Sequence, residues 1–236
     1  MRARFQVEES IVTIVSDEPY VRIAEKAVFE ARESISRKIR EDPFFEVTYE
    51  PYPVDPADDE LVRRMCRASI VAGVGPMAGV AGAVAVHAVE RMAEAGAEEA
   101  IVENGGDIAL HIDRDVTIGI FAGDSPLKDV ALHVPAREGI FGICSSSGKI
   151  GPSVSFGRSD ICTVFSDDVL LADACATALG NMIGGGDLET PMDRICSVEG
   201  VEGCLVSADG KVAMQGKVPE LVRAKVDSDR ISRIMF

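Results

Sequence analysis

Tryptophan is absent from the 236 residues, aromatic residues make up only 5%, and histidine occurs three times. So few π-faces leave little on which to stack nucleobases. His87, His111 and His133 lack the spacing of a helical zinc motif, so a histidine-built zinc centre is not expected. Basic residues are also scarce: 24 Lys and Arg stand against 39 Asp and Glu, for a formal net charge of -15. That field repels phosphate backbones and excludes general nucleic-acid binding, whereas a metal-bound nucleotide survives where a local site reverses the sign. No apolar run follows the arginines of MRARFQVEES, so no secretory signal is read. The weakly polar stretch 68–89 is interrupted by Pro76 and by Gly73, Gly75, Gly79 and Gly82, which argues against a membrane span. A cytoplasmic protein with neither membrane nor nucleic-acid partner is the expectation. The six cysteines form no CxxC pair, and without a secretion signal they are expected to be mostly free thiols.

What is present suffices for a packed core, since hydrophobic residues reach 47%. Residues 4–15 alternate and end in IVTIV, which predicts a strand or hairpin. Ala24, Ala27, Val28, Ala31, Ile35 and Ile39 draw an apolar stripe on a helix over about 20–40, with Pro19 as a start signal. PFFEVTYEPYPVDP reads as a strand followed by a proline-broken loop. DDELVRRMCRASIVAG reads as a second helix, and GPMAGVAGAVAVHAVERMAEAG as a loop entering a third that stops at Gly96. Then come short strands: IVENGGDIALHI around a turn, VTIGIFAG, VALHVP, GIFGICSS and SDICTVFS. DDVLLADACATALGNMIGGG is a helix with Ser166 or Asp168 as N-cap. Asp209-Gly210 predicts a hairpin turn, and the tail from about 222 is polar and expected to be mobile. One α+β domain over 1–236 follows, with helices packed on a mostly antiparallel sheet.

Four segments carry candidate chemistry. On a helix, Asp173 and Thr177 share one face a turn apart, two hard oxygen ligands suited to Mg²⁺ completed by water and phosphate. Dipole compensation by Asp173 and a back-bonding Thr177 explain the same residues without a metal. Asn104-Gly105-Gly106, followed by Asp107, either admits a ligand against the backbone or is simply a two-residue hairpin turn. CSSSGKIGPS offers hydroxyls, glycines and Lys149 to a phosphate, but lacks P-loop spacing and is equally a polar loop. Cys144 beside it is either a reactive thiol or a buried inert one. GVGPMA fits G-x-G-x-x-A, but the segment before it reads as helix, which argues against a dinucleotide-binding turn.

Taken in order, these segments resemble the ApbE-like superfamily of FAD-dependent flavin transferases. Residues 75–107 are similar to its small-residue loop, helix and Gly-Gly-acid turn. Residues 144–148 are similar to its Thr-Ser-Gly segment, and SDICTVFSDDVLLADACATALGN to its late strand and metal-binding helix, patterned Ala-Asp-x-x-Ala-Thr-x-Leu. The overall pattern is closest to a compact branch found in archaea and anaerobic bacteria and linked to sulfide assimilation and homocysteine formation. The resemblance implies a T-fold-like α+β architecture and Mg²⁺-dependent binding of FAD or FMN. It implies Asp173, Thr177 and the Ala78 backbone as metal ligands, with Asn104, Gly105, Gly106, Asp107, Ser147 and Gly148 lining the nucleotide site. Three departures stand out. GKIGPSVSFGRSD carries no His-Ile-Ile-Asp-Pro-like segment, Gly79 stands where a lysine is usual, and Ala109 where an arginine is.

The leading expectation is a cytoplasmic protein with a modified Mg²⁺ and flavin-nucleotide site, serving anaerobic sulfur assimilation. An active FMN transferase, a non-catalytic flavin-binding module and a persulfide carrier using Cys144 are the alternatives. A small-molecule nucleotide is the expected partner, and a homo-oligomer is compatible with the sequence. No residue is assigned a catalytic role.

Overall fold

The N-terminal alternation forms a hairpin, β1 (Arg2–Val7) and β2 (Ser10–Val15), in a computed structural model that describes residues 1–7, 10–123, 125–148, 157–184 and 186–224. Helix α1 (Glu18–Glu41) follows, with proline in its first turn and Val21, Ala24, Ala27, Val28, Ala31 and Ile35 buried along the expected stripe. The segment read as a strand from Pro43 is instead a one-turn helix, α2 (Phe44–Val47). Asp42 accepts the Phe44 N–H at 3.0 Å, Pro43 takes a helical φ, and Phe45 is buried edge-on against Tyr52. Local capping there outweighs the β-propensity of the aromatic run.

Helix α3 (Glu60–Ala72) ends on Gly73, whose φ of 72° is the left-handed C-cap conformation. A 3-10 turn, Pro76–Gly79, leads into α4 (Val80–Glu94). The segment before GVGPMA is therefore helical, and no dinucleotide-binding strand–turn–helix forms. Then come β3 (Ala100–Asn104), β4 (Asp107–Ile112), β5 (Val116–Gly119), β6 (Val130–Val134), β7 (Arg137–Ser146) and β8 (Ile161–Ser166). Helix α5 (Val169–Met182) is N-capped by Asp168, whose carboxylate accepts from the Leu170 and Leu171 N–H groups. After α6 (Glu189–Cys196) run β9 (Val201–Ala208), β10 (Lys211–Gly216) and β11 (Glu220–Arg223). The tail read as mobile from 222 still carries strand order through Arg223, and residues 225–236 lie outside the described residues.

Eight strands form one sheet in the order β1-β2-β3-β4-β7-β8-β9-β10, and β11-β6-β5 form a second. Every pairing of named strands is antiparallel. Strand alternation sends Cys144, Cys162, Val164, Cys204 and Val206 to the helical side of the large sheet. Ile143, Phe165 and Leu205 go to the opposite side, where they meet Leu132 and Val134 of the small sheet. The order of layers is thus helices, large sheet, small sheet. Helix α4 lies over β3 and β4, and α5 over β7 and β8, so α4 and α5 meet above the middle of the sheet. Among the described residues no single helix is long and apolar enough to cross a membrane; α3 and the helical run from Pro76 to Glu94 are bent by 108° at their junction.

Candidate metal and nucleotide site

Helix α5 is buried almost all round, and Asp173 is its one charged residue. Such a carboxylate must find donors, and it does so across the α4–α5 contact. The Gly82 N–H donates to Asp173 Oδ2 at 2.7 Å. Only glycine allows this approach: a Cβ at position 82 would lie 2.9 Å from Asp173 Cβ and 3.0 Å from Oδ2. The glycine at position 82 is therefore a packing requirement of the site. One turn further along α5, Thr177 Oγ1 donates to the Ala78 carbonyl at 3.4 Å. Asn104, at the end of β3, donates through Nδ2 to the Ala81 carbonyl at 3.2 Å and ties the hairpin to the start of α4.

Asp107 opens β4 just past the glycine turn and is buried beside Asp173. The Ser145 N–H donates to Asp107 Oδ1 at 3.1 Å. Burial pushes the Asp107 carboxyl well above the usual carboxylate range, and the Asp173 charge adds to this, against the pull of the Ser145 N–H. Burial pushes the Asp173 carboxyl up to about 7, against the pull of the Gly82 N–H. Neither carboxylate forms an ion pair with a lysine or arginine among the described residues. Two buried acids side by side without a compensating cation are costly to ionise; they are relieved by holding protons, the direction in which both are shifted, or by a bound cation.

The donor chemistry fits a hard divalent ion: two carboxylates, a hydroxyl and a backbone carbonyl. Among the described residues no group of three or more His, Cys, Asp or Glu side chains is placed to hold a metal. An ion of the Mg²⁺ type takes one or two carboxylates and completes its shell with water and phosphate oxygens.

Other sequence-marked residues have different roles. Gly105 and Gly106 have φ of 67° and 108°, the left-handed pair of a two-residue hairpin turn closing Asn104 onto Asp107. The Gly106 N–H is already taken by Glu103 Oε1 at 3.1 Å. The hairpin geometry alone thus accounts for both glycines. Ser147 Oγ donates to the Asp160 carbonyl at 2.8 Å and the Gly148 N–H to the Ser159 carbonyl at 3.2 Å, which fasten the end of β7 to the chain entering β8. Lys149 falls outside the described residues. Cys144 is fully buried, donates to the Val169 carbonyl at 3.5 Å, and its thiol is pushed up by burial and by the Asp107 and Asp173 charges. Such a thiol is a packing group, which removes the structural basis for a persulfide carrier there. All six cysteines are free, as expected. The histidines stay apart from the site: His111 contacts the Gly139 carbonyl, His133 faces Asp115 and His87 faces Glu30. A shallow cleft lined by Arg158, Ile183, Leu188 and Lys211 also stands apart from the two carboxylates.

The fold is that of the ApbE flavin transferases. The flavin transferase ApbE of Vibrio cholerae superposes with a TM-score of 0.57 at 13% identity, over 92% of this chain and 96% of that one. The ApbE protein of Thermotoga maritima does so with a TM-score of 0.57 at 14% identity, over 95% and 97%. At sequence level the family model described as AbpE bacteria matches residues 1–197. The UPF0280 proteins of Methanocella arvoryzae and Archaeoglobus fulgidus are 46% and 44% identical, each over 98% of this chain and over 95% and 99% of theirs. The chain therefore belongs to the AbpE bacteria family, and it shares the UPF0280 proteins' sequence over nearly its whole length.

Proposed function

We propose that the chain binds a flavin nucleotide, FAD or FMN, through a divalent cation of the Mg²⁺ type. Asp173, Thr177 and the Ala78 carbonyl are its protein ligands in this reading, with Asp107 as the adjoining carboxylate. The observation that carries the proposal is the buried Asp107–Asp173 pair, which lacks an ion-pair partner among the described residues. The flavin rests on the activity named for the structural neighbours and on the motif resemblance. The ion would supply positive charge to a diphosphate and neutralise the two acids.

The chain's own contribution is preorganisation. The Gly82 N–H fixes one oxygen of Asp173, and the Ser145 N–H fixes one oxygen of Asp107. Asn104 holds the Ala81 carbonyl, which keeps the neighbouring Ala78 segment against α5. Asn104, Gly105, Gly106, Ser147 and Gly148 line the nucleotide beyond the carboxylates in this proposal. A cytoplasmic location and a single domain over the chain belong to the same proposal. Flavin transfer is slow, because GKIGPSVSFGRSD lacks the His and Asp-Pro groups of the transferases, and poor positioning of reacting groups costs about 10²-fold.

Incubating the purified protein with FAD, with and without Mg²⁺, tests both parts. Retained flavin absorbance that needs Mg²⁺ is expected, with AMP release well below an ordinary enzyme rate of about 1 s⁻¹. Flavin retention indifferent to Mg²⁺ would remove the cation reading, and AMP release at that rate or faster would make the chain a competent transferase.

A further inference from the structure

Away from the carboxylate site, two sulfurs are in contact. Cys196 is the last residue of α6 and Cys204 lies in β9, and their Sγ atoms are 3.4 Å apart. The turn between them is already formed. Ser197 caps the helix with its N–H on the Asp193 carbonyl, and Gly200, at φ 96°, turns the chain into β9. Both flanks are held. Met192 and Ile195 bury the inner face of α6, while Gln215 Nε2 of β10 donates to Asp193 Oδ1 at 2.7 Å. The contact is therefore imposed by the fold around it. Cys204 is fully buried and Cys196 is half-buried at the helix end. No other cysteine pair is in sulfur contact among the described residues.

We propose that Cys196 and Cys204 form a dithiol–disulfide couple, and that the folded protein reacts with low-molecular-weight disulfides to bond α6 to β9. A disulfide needs its sulfurs at about 2.0 Å, so forming it requires the present 3.4 Å contact to close. The Cys196 thiolate attacks a small disulfide, RSSR. One new S–S bond forms, the RS–SR bond breaks, and RS⁻ leaves with the electron pair. The Cys204 thiolate then attacks Cys196 Sγ and expels the second RS⁻. The two protons lost by the cysteines go to the two departing thiolates, so two protein thiols are oxidised and RSSR is reduced to two RSH. Contact between the sulfurs makes the second step intramolecular and fast relative to reaction with another molecule. The couple is independent of any flavin or metal.

Burial pushes both thiols above the ordinary cysteine value, Cys204 further than Cys196, so the test uses the full chain and glutathione disulfide at about pH 9, where more of the attacking thiolate forms. After acid quenching, the remaining thiols are capped with N-ethylmaleimide and the intact mass is read. The expected product carries four caps, the six cysteines less two, and no glutathione. Cleavage after glutamate then separates the two cysteines, because Glu199 and Glu202 lie between them, and leaves their peptides joined only by the disulfide. Cys196→Ser should prevent the bond. Cys204→Ala should trap glutathione on Cys196, and Cys66→Ser should leave the bond intact. Should Cys204→Ala fail to fold by circular dichroism, Cys196→Ser carries the comparison, since its site is half-buried at a helix end. Six caps on the oxidised wild type, a lasting glutathione adduct on Cys196, or a link between other cysteines would each overturn the proposal.

Discussion

Replacing Asp173 by asparagine separates the charge of the carboxylate from its shape. Asparagine keeps an oxygen to accept the Gly82 N–H, now 2.7 Å from Oδ2, and leaves the volume of α5 unchanged. Unfolded Asp173 titrates at its ordinary value of 3.8 and the folded residue at about 7, so within this window the folded state holds a proton that the unfolded state has released. Without metal, stability therefore falls as pH rises from about 4 to about 7 and stays low above that. The span corresponds to at most about 4 kcal/mol. Asp173→Asn removes this loss. Above pH 7 the metal-free variant should be the more stable protein, by up to on the order of 10 °C in Tm at about 2–4 °C per kcal/mol, and the gap should close near pH 4. Mg²⁺ should raise the Tm of the wild type above pH 7, where both carboxylates would ionise around it, and leave the variant unmoved. Thermal melts across pH, with EDTA or with Mg²⁺, measure all of this. A variant less stable than wild type above pH 7, or equal stabilisation of both proteins by Mg²⁺, would refute the reasoning.

Three further substitutions probe the scaffold. Gly75→Ala would place a Cβ 2.0 Å from the Thr48 carbonyl oxygen, a backbone clash expected to cost about 3 kcal/mol or more in urea unfolding. Asp168→Ala removes the acceptor for two N–H groups at the start of α5 and should cost about 1 kcal/mol, read as a drop of about 2–4 °C in Tm. Phe45→Ala empties a fully buried position beneath Tyr52 and should cost about 3–5 kcal/mol in the same unfolding assay.

Much of this arrangement is legible from residue order. The stripe from Ala24 to Ile35, the Asp168 cap and the Asp209-Gly210 turn are local signals, and each is realised where local physics places it. Asp173 is conspicuous because an otherwise apolar helix has no reason to carry one charge unless it is used. The facing groups leave no such mark. Asp107 reaches Asp173 only because β4 pairs with β7 across the β5 and β6 excursion, and Ser145 becomes its donor through that same non-local pairing. Gly82 reads as one small residue among many until α5 lies 2.9 Å from where its Cβ would be. The error at Pro43 has a different origin. A short aromatic and β-branched run satisfies a strand pattern, while Asp42 and Pro43 together start a single helical turn. The Cys196–Cys204 contact depends on how α6 settles on β9, which a spacing of eight residues does not disclose.

The central claim, a cation-dependent flavin site at Asp107 and Asp173, is most directly tested by calorimetric titration of FAD into the wild type and into Asp173→Ala, each in Mg²⁺ and in EDTA. The account predicts saturable binding of one FAD per chain to the wild type in Mg²⁺. Chelation or the substitution should weaken it by more than about tenfold, at least about 1.4 kcal/mol. FAD binding of equal strength in EDTA and in the variant, or no binding by the Mg²⁺-loaded wild type, would contradict it.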